Sequence, residues 1–167
     1  MKPSLEEVHA GLLALLQEMS PGADLALANA PATPDAPLLT EFKAKGVHLD
    51  VRLTPGQLTT AARFLDEQGF AFDTVTGVDW LAADQMELIY DFFHPEAPWQ
   101  IVLRTRVPRQ HPEVPTLSAI FPGANWHERE THEFLGILFT GHPNLIPLLL
   151  PEDATYHPLR KDFSGAS

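Results

Sequence analysis

The sequence predicts a two-layer α+β fold: a small mixed β-sheet of four to five strands with helices on one face, followed by an extended C-terminal segment. Between residues 47 and 107, a strand-like segment, a helical segment and three more strand-like segments follow one another. From residue 108 onward, prolines recur and charged and apolar residues come in blocks without alternation. We therefore divide the chain into an N-terminal helix and Pro-rich loop (1–40), an α+β core domain (41–122), and a charged helix with the C-terminal segment (123–167).

The N-terminal region is predicted to form an amphipathic helix over Leu5–Met19, because its apolar residues recur at helical spacing. Ser4 is suited to cap this helix, and Glu7 stands where a capping box requires a carboxylate. Pro21-Gly22 is expected to end the helix. The prolines within residues 29–37 then predict an extended loop.

The core domain begins with a segment, residues 47–53, that alternates between apolar and polar residues as a half-buried strand does. A helix is predicted over residues 57–68, with Gly69 as its C-terminal stop. Further strands are predicted over residues 70–75, 86–93 and 99–107. The last two are separated by residues 94–98, a loop length that favours an antiparallel hairpin.

Composition excludes several classes of protein. The formal net charge of −11 predicts a surface that nucleic acid and anionic lipid repel. Without cysteine, this chain alone forms no disulfide, thiolate metal site or iron–sulfur cluster, which fits a cytoplasmic protein. No apolar run approaches the roughly 20 residues of a membrane-spanning helix, and the early acidic residues argue against a targeting peptide. The densest basic cluster, Arg104, Arg106 and Arg109, is expected to lie on a solvated strand face.

The last third of the chain opens with a charged helix. Asn125 is predicted to cap a helix that begins at Trp126, with Glu128 completing a capping box. Arg129 and Glu133 have the spacing of an (i, i+4) ion pair. Since five of the six residues from Glu128 to Glu133 are ionisable, some of them must face solvent or pair with a partner.

A zinc-hydrolase interpretation of the segment His127–Glu133 is disfavoured by geometry. Such a site requires histidines at i and i+4, on one face of the helix. His127 and His132 are five residues apart, so they diverge by roughly 140° at about 100° per residue. The chain also contains neither a Gly-x-Ser-x-Gly nucleophile motif nor a Gly-x-Gly-x-x-Gly dinucleotide loop.

Five segments of the last third, in this order and spacing, resemble the C subunit of NADH–quinone oxidoreductase. They are Ala124–Glu130, Phe134–Ile137, Phe139–Pro143, Pro151–Asp153 and His157–Phe163. The segments Thr76–Trp80 and Tyr90–Phe92 are similar, more weakly, to the sheet region of that family.

The resemblance implies a scaffold subunit of the peripheral arm of a complex I-type oxidoreductase, with no catalytic residue and no redox centre of its own. Its partners would be the large subunit that forms the quinone site and the iron–sulfur subunits, which would hold the clusters and bind NADH and quinone. The complex would place it on the cytoplasmic side of the membrane, and residues 123–167 would include the docking segment. The residues to which the resemblance assigns docking or structural roles are Glu128, Arg129, Glu130, Glu133, Gly136, Gly141, His142, Pro143, Pro158, Leu159, Arg160, Lys161 and Asp162.

Several departures from the family pattern keep open the related subunit of membrane-bound, energy-converting nickel–iron hydrogenases, which the run Leu148–Pro151 and His132 resemble more closely. The NADH–quinone type is favoured because that family is larger. The family usually has Asp where this chain has Glu133, and aromatic residues at the positions of His132 and Leu135. After His142-Pro143 the family usually has an acid, Leu and two basic residues, whereas this chain has Asn144–Pro147.

Three interpretations therefore stay open: the scaffold subunit of either complex, a small metal-dependent hydrolase using His127–Glu133, and a free-standing binding module. For the scaffold interpretation, the tail at Arg160 and Lys161 is expected to contact the partner subunit. Replacing both residues by Ala should then release the chain from its complex and leave its melting temperature nearly unchanged.

Overall fold

The computed structural model describes residues 3–19 and 38–165. Its helices are α1 (Leu5–Met19), α2 (Phe42–Lys45), α3 (Pro55–Glu67) and α4 (Ala124–Leu135), with a short 3-10 helix at Leu81–Ala83. Its strands are β1 (Leu38–Leu39), β2 (Leu49–Leu53), β3 (Ala71–Trp80), β4 (Gln85–Phe93), β5 (Gln100–Pro108), β6 (Glu113–Pro115) and β7 (Leu138–Thr140).

The main sheet has five strands in the order β1-β2-β5-β4-β3. Strands β2 and β5 run parallel, and the other neighbouring pairs are antiparallel. The predicted mixed sheet and the β4–β5 hairpin are therefore confirmed. Strands β6 and β7 form a separate parallel pair that joins the end of the core domain to the last third of the chain.

The core lies between one face of this sheet and the helices. Val51, Leu103 and Tyr90 stand side by side across β2, β5 and β4, and all three are fully buried. Helix α3 packs over β2 and β5, and α1 packs on α3. Helix α4 crosses β3 on the same face, where a Cβ on Gly77 would lie 2.3 Å from Leu135 Cδ1. The α+β fold with helices on one face is confirmed.

Local signals account for the helix ends in the first two-thirds of the chain. Ser4 Oγ accepts the Glu7 N–H and Glu7 Oε2 accepts the Ser4 N–H, at 3.1 and 2.8 Å, so the predicted capping box is present. Helix α3 begins two residues earlier than predicted, because Thr54 and Gln57 form a second capping box. Gly69 adopts the left-handed conformation, with φ of 83°, that a helix stop requires.

Some elements differ from the prediction. Strand β3 runs to Trp80, the last residue of the segment Thr76–Trp80 near which the strand was predicted to end, because β4 pairs with it along that whole length. The short elements β1, α2, β6 and β7 carry too few residues for a periodic pattern and were not predicted. The predicted turn at 21–22 and the Pro-rich loop at 29–37 lie outside the described residues. The division of the chain at residues 40 and 122 stays a prediction.

The expected solvated strand face at Arg104, Arg106 and Arg109 is wrong. Arg104 pairs with Asp50 at 2.8 Å and Arg106 with Glu87 at 3.1 Å, both on the sheet face opposite the core. Arg109 is buried. The carboxylates come from neighbouring strands. They are 54 and 19 residues away in the sequence, so the sequence alone did not show these ion pairs.

Candidate functional site

Helix α4 carries four of the residues that the family resemblance singled out, Glu128, Arg129, Glu130 and Glu133. It begins at Ala124 with Gly123 before it, so Asn125 lies in the first turn and does not cap the helix. The predicted capping box with Glu128 is therefore wrong. The helix begins two residues before the predicted start because the chain already forms a turn there, in which the Ala124 N–H donates to the Phe121 carbonyl.

Glu128 points into the protein and is fully buried. It accepts the Leu117 N–H at 2.7 Å and the Thr116 hydroxyl, and so connects α4 to the chain that follows β6. Burial raises the pKa of Glu128 to about 7, although both hydrogen bonds act to lower it. His142, whose side chain is also fully buried, lies 3.9 Å away, and burial lowers its pKa.

Arg129 and Glu133 do not form the predicted (i, i+4) ion pair. The Arg129 guanidinium donates to the carbonyls of Ile146 and Pro147, at 2.9 and 3.0 Å. The Glu133 carboxylate accepts three successive backbone N–H groups at 2.8 to 3.0 Å. Those donors are Leu148, Leu149 and Leu150. The two side chains thus hold the irregular loop 146–150 in place: Arg129 binds its carbonyl groups and Glu133 binds its amide groups.

The C-terminal end of α4 is covered by the tail of the chain. The last carbonyls of a helix have no intrahelical donor. Here a ring nitrogen of His157 contacts the Glu133 carbonyl at 2.8 Å, and the Arg160 side chain donates to the Leu135 carbonyl at 2.7 Å. Between them, the Leu159 N–H donates to the Phe134 carbonyl at 3.1 Å. The tail therefore satisfies the carbonyls that end the helix.

Gly136 makes this approach possible. Its φ of 75° is left-handed, and a Cβ there would lie 2.7 Å from the His157 ring and 2.8 Å from the Arg160 guanidinium. A larger residue would be strained and would also displace the tail.

A second polar network holds the tail to the sheet. Arg109 donates two hydrogen bonds to Asp79, at 2.7 and 3.0 Å, and a third to Asp162 at 2.6 Å. Asp79 also accepts the Lys161 N–H at 2.8 Å. The Arg109 guanidinium holds the pKa of both carboxyl groups below their ordinary values. Asp162, predicted from the tail, is thereby joined to two residues that the prediction missed.

One feature of the sequence points to Asp79. It stands in the segment Thr76–Trp80, and its position in β3 puts it on the same face as Gly77, the face that α4 covers. An acid on the core face of a strand requires a cation, but nothing in the sequence shows that Arg109, 30 residues later, supplies it.

The histidines of the segment His127–Glu133 have separate neighbours. A ring nitrogen of His127 lies 3.3 Å from the Thr74 hydroxyl, and one of His132 lies 2.8 Å from the Ile137 carbonyl. Within residues 3–19 and 38–165, no group of three or more potential ligands is placed to hold a metal ion. Helices of the described chain are also too short or too polar to cross a membrane.

The remaining predicted residues differ in exposure. Gly141, with φ of 82°, makes the turn after β7. Glu130, Pro143 and Leu159 are exposed, and so is the side chain of Lys161, whose backbone N–H bonds to Asp79. Pro158 is half-buried.

Comparison with known families decides the identity of the chain. The profile of the family described as respiratory-chain NADH dehydrogenase, 30 Kd subunit, matches residues 51–167. The chain belongs to this family. The resemblance inferred from the five segments of the last third is confirmed.

Curated members of the family include the C subunits of two named enzymes. That of the NADH-quinone oxidoreductase of Roseiflexus castenholzii is 41% identical over 136 residues, which cover 78% of this chain and 77% of the relative. That of the F(420)H(2) dehydrogenase of Methanosarcina mazei is 42% identical over 93 residues, which cover 55% of this chain and 59% of the relative.

Solved structures share the fold. A chain of the membrane-bound sulfane sulfur reductase, an archaeal respiratory membrane complex, matches with a TM-score of 0.67 at 23% identity, covering 92% of this chain and 84% of that one. The trypsin-resistant fragment of Nqo5 matches with a TM-score of 0.54 at 24% identity, covering 62% and 92%.

Proposed function

We propose that the chain is a non-redox structural subunit in the peripheral arm of a complex I-type, proton-translocating NADH:quinone oxidoreductase. In this role it docks on the large subunit that forms the quinone site. Family membership supports a place in such a complex. The NADH–quinone type is proposed over the hydrogenase type because relatives aligned over more than three-quarters of their length carry that name.

The observation that carries this proposal is the orientation of residues 144–163, which we call the C-terminal segment. Its backbone is bound to its own domain through Arg129, Glu133 and Asp79. Five of its large apolar side chains are nevertheless exposed, whereas Leu145, Leu148 and Leu150 are partly buried. The exposed ones are Ile146, Leu149, Tyr156, Leu159 and Phe163.

An exposed apolar set on a fixed backbone is suited to a protein interface. Burying these side chains against a partner is favourable, because apolar area leaves water. Since the backbone is already held by polar contacts, little conformational freedom would be lost on docking. The segment therefore presents a preorganised surface.

Charge supports indirect attachment to the membrane. A chain with net charge of −11 is repelled by anionic lipid, so the partner subunits would hold it at the cytoplasmic side. Iron–sulfur clusters and the sites for NADH and quinone would belong to those partners. The purified chain is expected to stay in solution with anionic liposomes, whereas in cell extracts it should fractionate with membranes.

The test replaces two outward residues of the C-terminal segment. Ile146→Asp combined with Phe163→Asp should leave the melting temperature of the isolated chain nearly unchanged and remove the chain from purified membranes. Leu39→Asp, on the opposite edge of the sheet and similarly exposed, is the matched control. If the double variant is retained on membranes as well as the control, the docking role of this segment is refuted.

A further inference from the structure

Two adjoining cavities form a groove beside α4. They have volumes of about 340 and 510 Å³ and share His127 and Glu130 in their walls. Residues 74–77 of β3 line the first cavity, and Trp126 and Leu149 line the second. We call this feature the α4–β3 groove. It is separate from the side chains of Ile146 and Phe163, which do not line it.

One wall of the groove is the edge of a β-sheet. Strand β3 is the last strand of the sheet and pairs only with β4 in the described structure. The pairing register shifts between Phe72 and Thr74, so the regular edge begins at Thr74, where the groove begins. An unpaired strand edge offers backbone N–H and C=O groups to an additional strand.

The floor of the groove carries a carboxylate without a partner among the described residues. Three other ionisable residues of α4 (Glu128, Arg129 and Glu133) have hydrogen-bond partners within the chain. The exposed Glu130 carboxylate has no hydrogen bond or ion pair within residues 3–19 and 38–165. Trp126 beside it is 65% exposed, so an anion and an aromatic ring stand together at the surface. This pair suits a Lys or Arg side chain, which is attracted both to a carboxylate and to an indole face.

Apolar side chains flank the carboxylate on both sides. Leu149 lies in the wall of the second cavity and Leu159 in that of the first, and both are among the most exposed leucines of the described chain. An occupant would thus meet a strand edge, a central negative charge and an apolar residue on each side.

We propose that the α4–β3 groove binds an extended, basic segment of the large partner subunit, which adds a strand to β3 at residues 74–77 and places a Lys or Arg against Glu130. The wall of four residues is about 14 Å long at roughly 3.4 Å per residue, enough to pair with about four residues of an added strand. A second copy of this chain is a poor occupant, because its net charge of −11 would oppose the same charge on the first. The inference rests on the proposed function in that it requires a partner subunit.

Hydrogen exchange tests the strand addition. Backbone amides of residues 74–77 that face the groove should exchange at least tenfold more slowly in the intact purified complex than in the isolated full-length chain. If residues 144–163 become protected in the complex and residues 74–77 do not, the groove inference fails and the proposed function stands. If neither region becomes protected, both fail.

Charge reversal tests the cation. Glu130→Lys should lower retention of the chain in the purified complex at least tenfold at low ionic strength, with Glu130→Gln giving a smaller loss. Glu67→Lys, also an exposed carboxylate, at the end of α3, is the control and should be retained as the unmodified chain is. Melting of each isolated variant shows that the fold is intact. Equal retention of Glu130→Lys and Glu67→Lys would overturn the inference.

Discussion

The sheet with α1 and α3 and the C-terminal segment (residues 144–163) are held in place by different forces. The first region is ordered by apolar side chains on one face of the sheet, such as Val51 and Leu103, which are fully buried. The second is ordered by charged side chains that bind backbone groups, as Glu133 binds three successive amides. Apolar burial resists unfolding of the whole domain. The polar contacts to the backbone hold a segment without helix or strand in a single conformation.

This difference bears on function. A segment held by its backbone can leave its apolar side chains exposed to a partner, whereas a segment held by apolar burial cannot. In the C-terminal segment, Leu149 donates its N–H to Glu133 and exposes 65% of its surface. Substitutions in each region should therefore weaken apolar burial and polar backbone contacts separately.

Arg109→Ala should give the largest loss of stability. The substitution leaves the buried Asp79 carboxylate without its cation, which costs roughly 3–5 kcal/mol in the free energy of unfolding. It should also free the tail around Asp162, measured as faster proteolytic removal of the C-terminus. Arg63→Ala, an exposed arginine on α3, is the control. Equal denaturation curves for the two variants would show that the Asp79 network does not stabilise the domain.

Leu103→Ala tests the contribution of apolar burial in the core. Leu103 lies at the centre of the sheet between Val51 and Tyr90, so the substitution opens a cavity and should cost roughly 2–5 kcal/mol. Because the polar contacts of the C-terminal segment remain, its amides should lose protection only with global unfolding. Exposed Leu39→Ala should change the unfolding free energy little. If the amides of residues 148–150 exchanged faster than the rest of the domain in Leu103→Ala, the polar contacts of the C-terminal segment would not be independent of the apolar core.

The pH dependence of stability should identify Glu128. Its pKa is about 7 in the folded chain and 4.5 as the ordinary value, so the folded state binds the additional proton between these values. The resulting stability is fully present below pH 4.5 and is lost as the pH rises through 7, amounting to about 3 kcal/mol.

Glu128→Gln cannot titrate and should lack this decrease, which unfolding free energies at pH 5 and pH 8 would reveal. His142 contributes with opposite sign, since burial lowers its pKa and protonation at low pH destabilises the fold. The difference in pH dependence of the unfolding free energy between the unmodified chain and Glu128→Gln therefore gives the contribution of Glu128. Parallel pH profiles would show that its carboxyl group is not buried as described.

The smallest expected effect separates two adjacent basic residues of the tail. The sequence alone predicts that replacing Arg160 and Lys161 together leaves stability unchanged. Since Arg160 donates to the Leu135 carbonyl, Arg160→Ala is expected to cost about 1–2 kcal/mol. Lys161→Ala should cost almost nothing, because the contact with Asp79 is made by the backbone N–H of residue 161. Thermal melting of the two single variants checks this, and an unchanged melting temperature for Arg160→Ala would favour the sequence-based expectation.

The extent of correct prediction follows the same division. Strands β2, β4 and β5 and helices α1 and α3 were predicted within a few residues, because apolar periodicity is a local property of the chain. The start of α4 was placed two residues late, and Glu128 was assigned to a cap when it binds Leu117 instead. Capping rules consider only neighbours in sequence, whereas this carboxylate accepts a hydrogen bond from a residue outside the helix, Leu117.

The sequence by itself determined the α+β class, the hairpin of β4 and β5 and the family, since periodicity, turn residues and ordered motifs are all properties of one chain read in order. Only the tertiary structure decided the partners of the charges. Asp79 and Arg109 are 30 residues apart, and Glu133 binds amides 15 to 17 residues away. Charged groups act on whatever the fold brings near them, and that proximity exists only after the apolar core has assembled. The exposed edge of β3 and the position of Glu130 beside it became visible for the same reason.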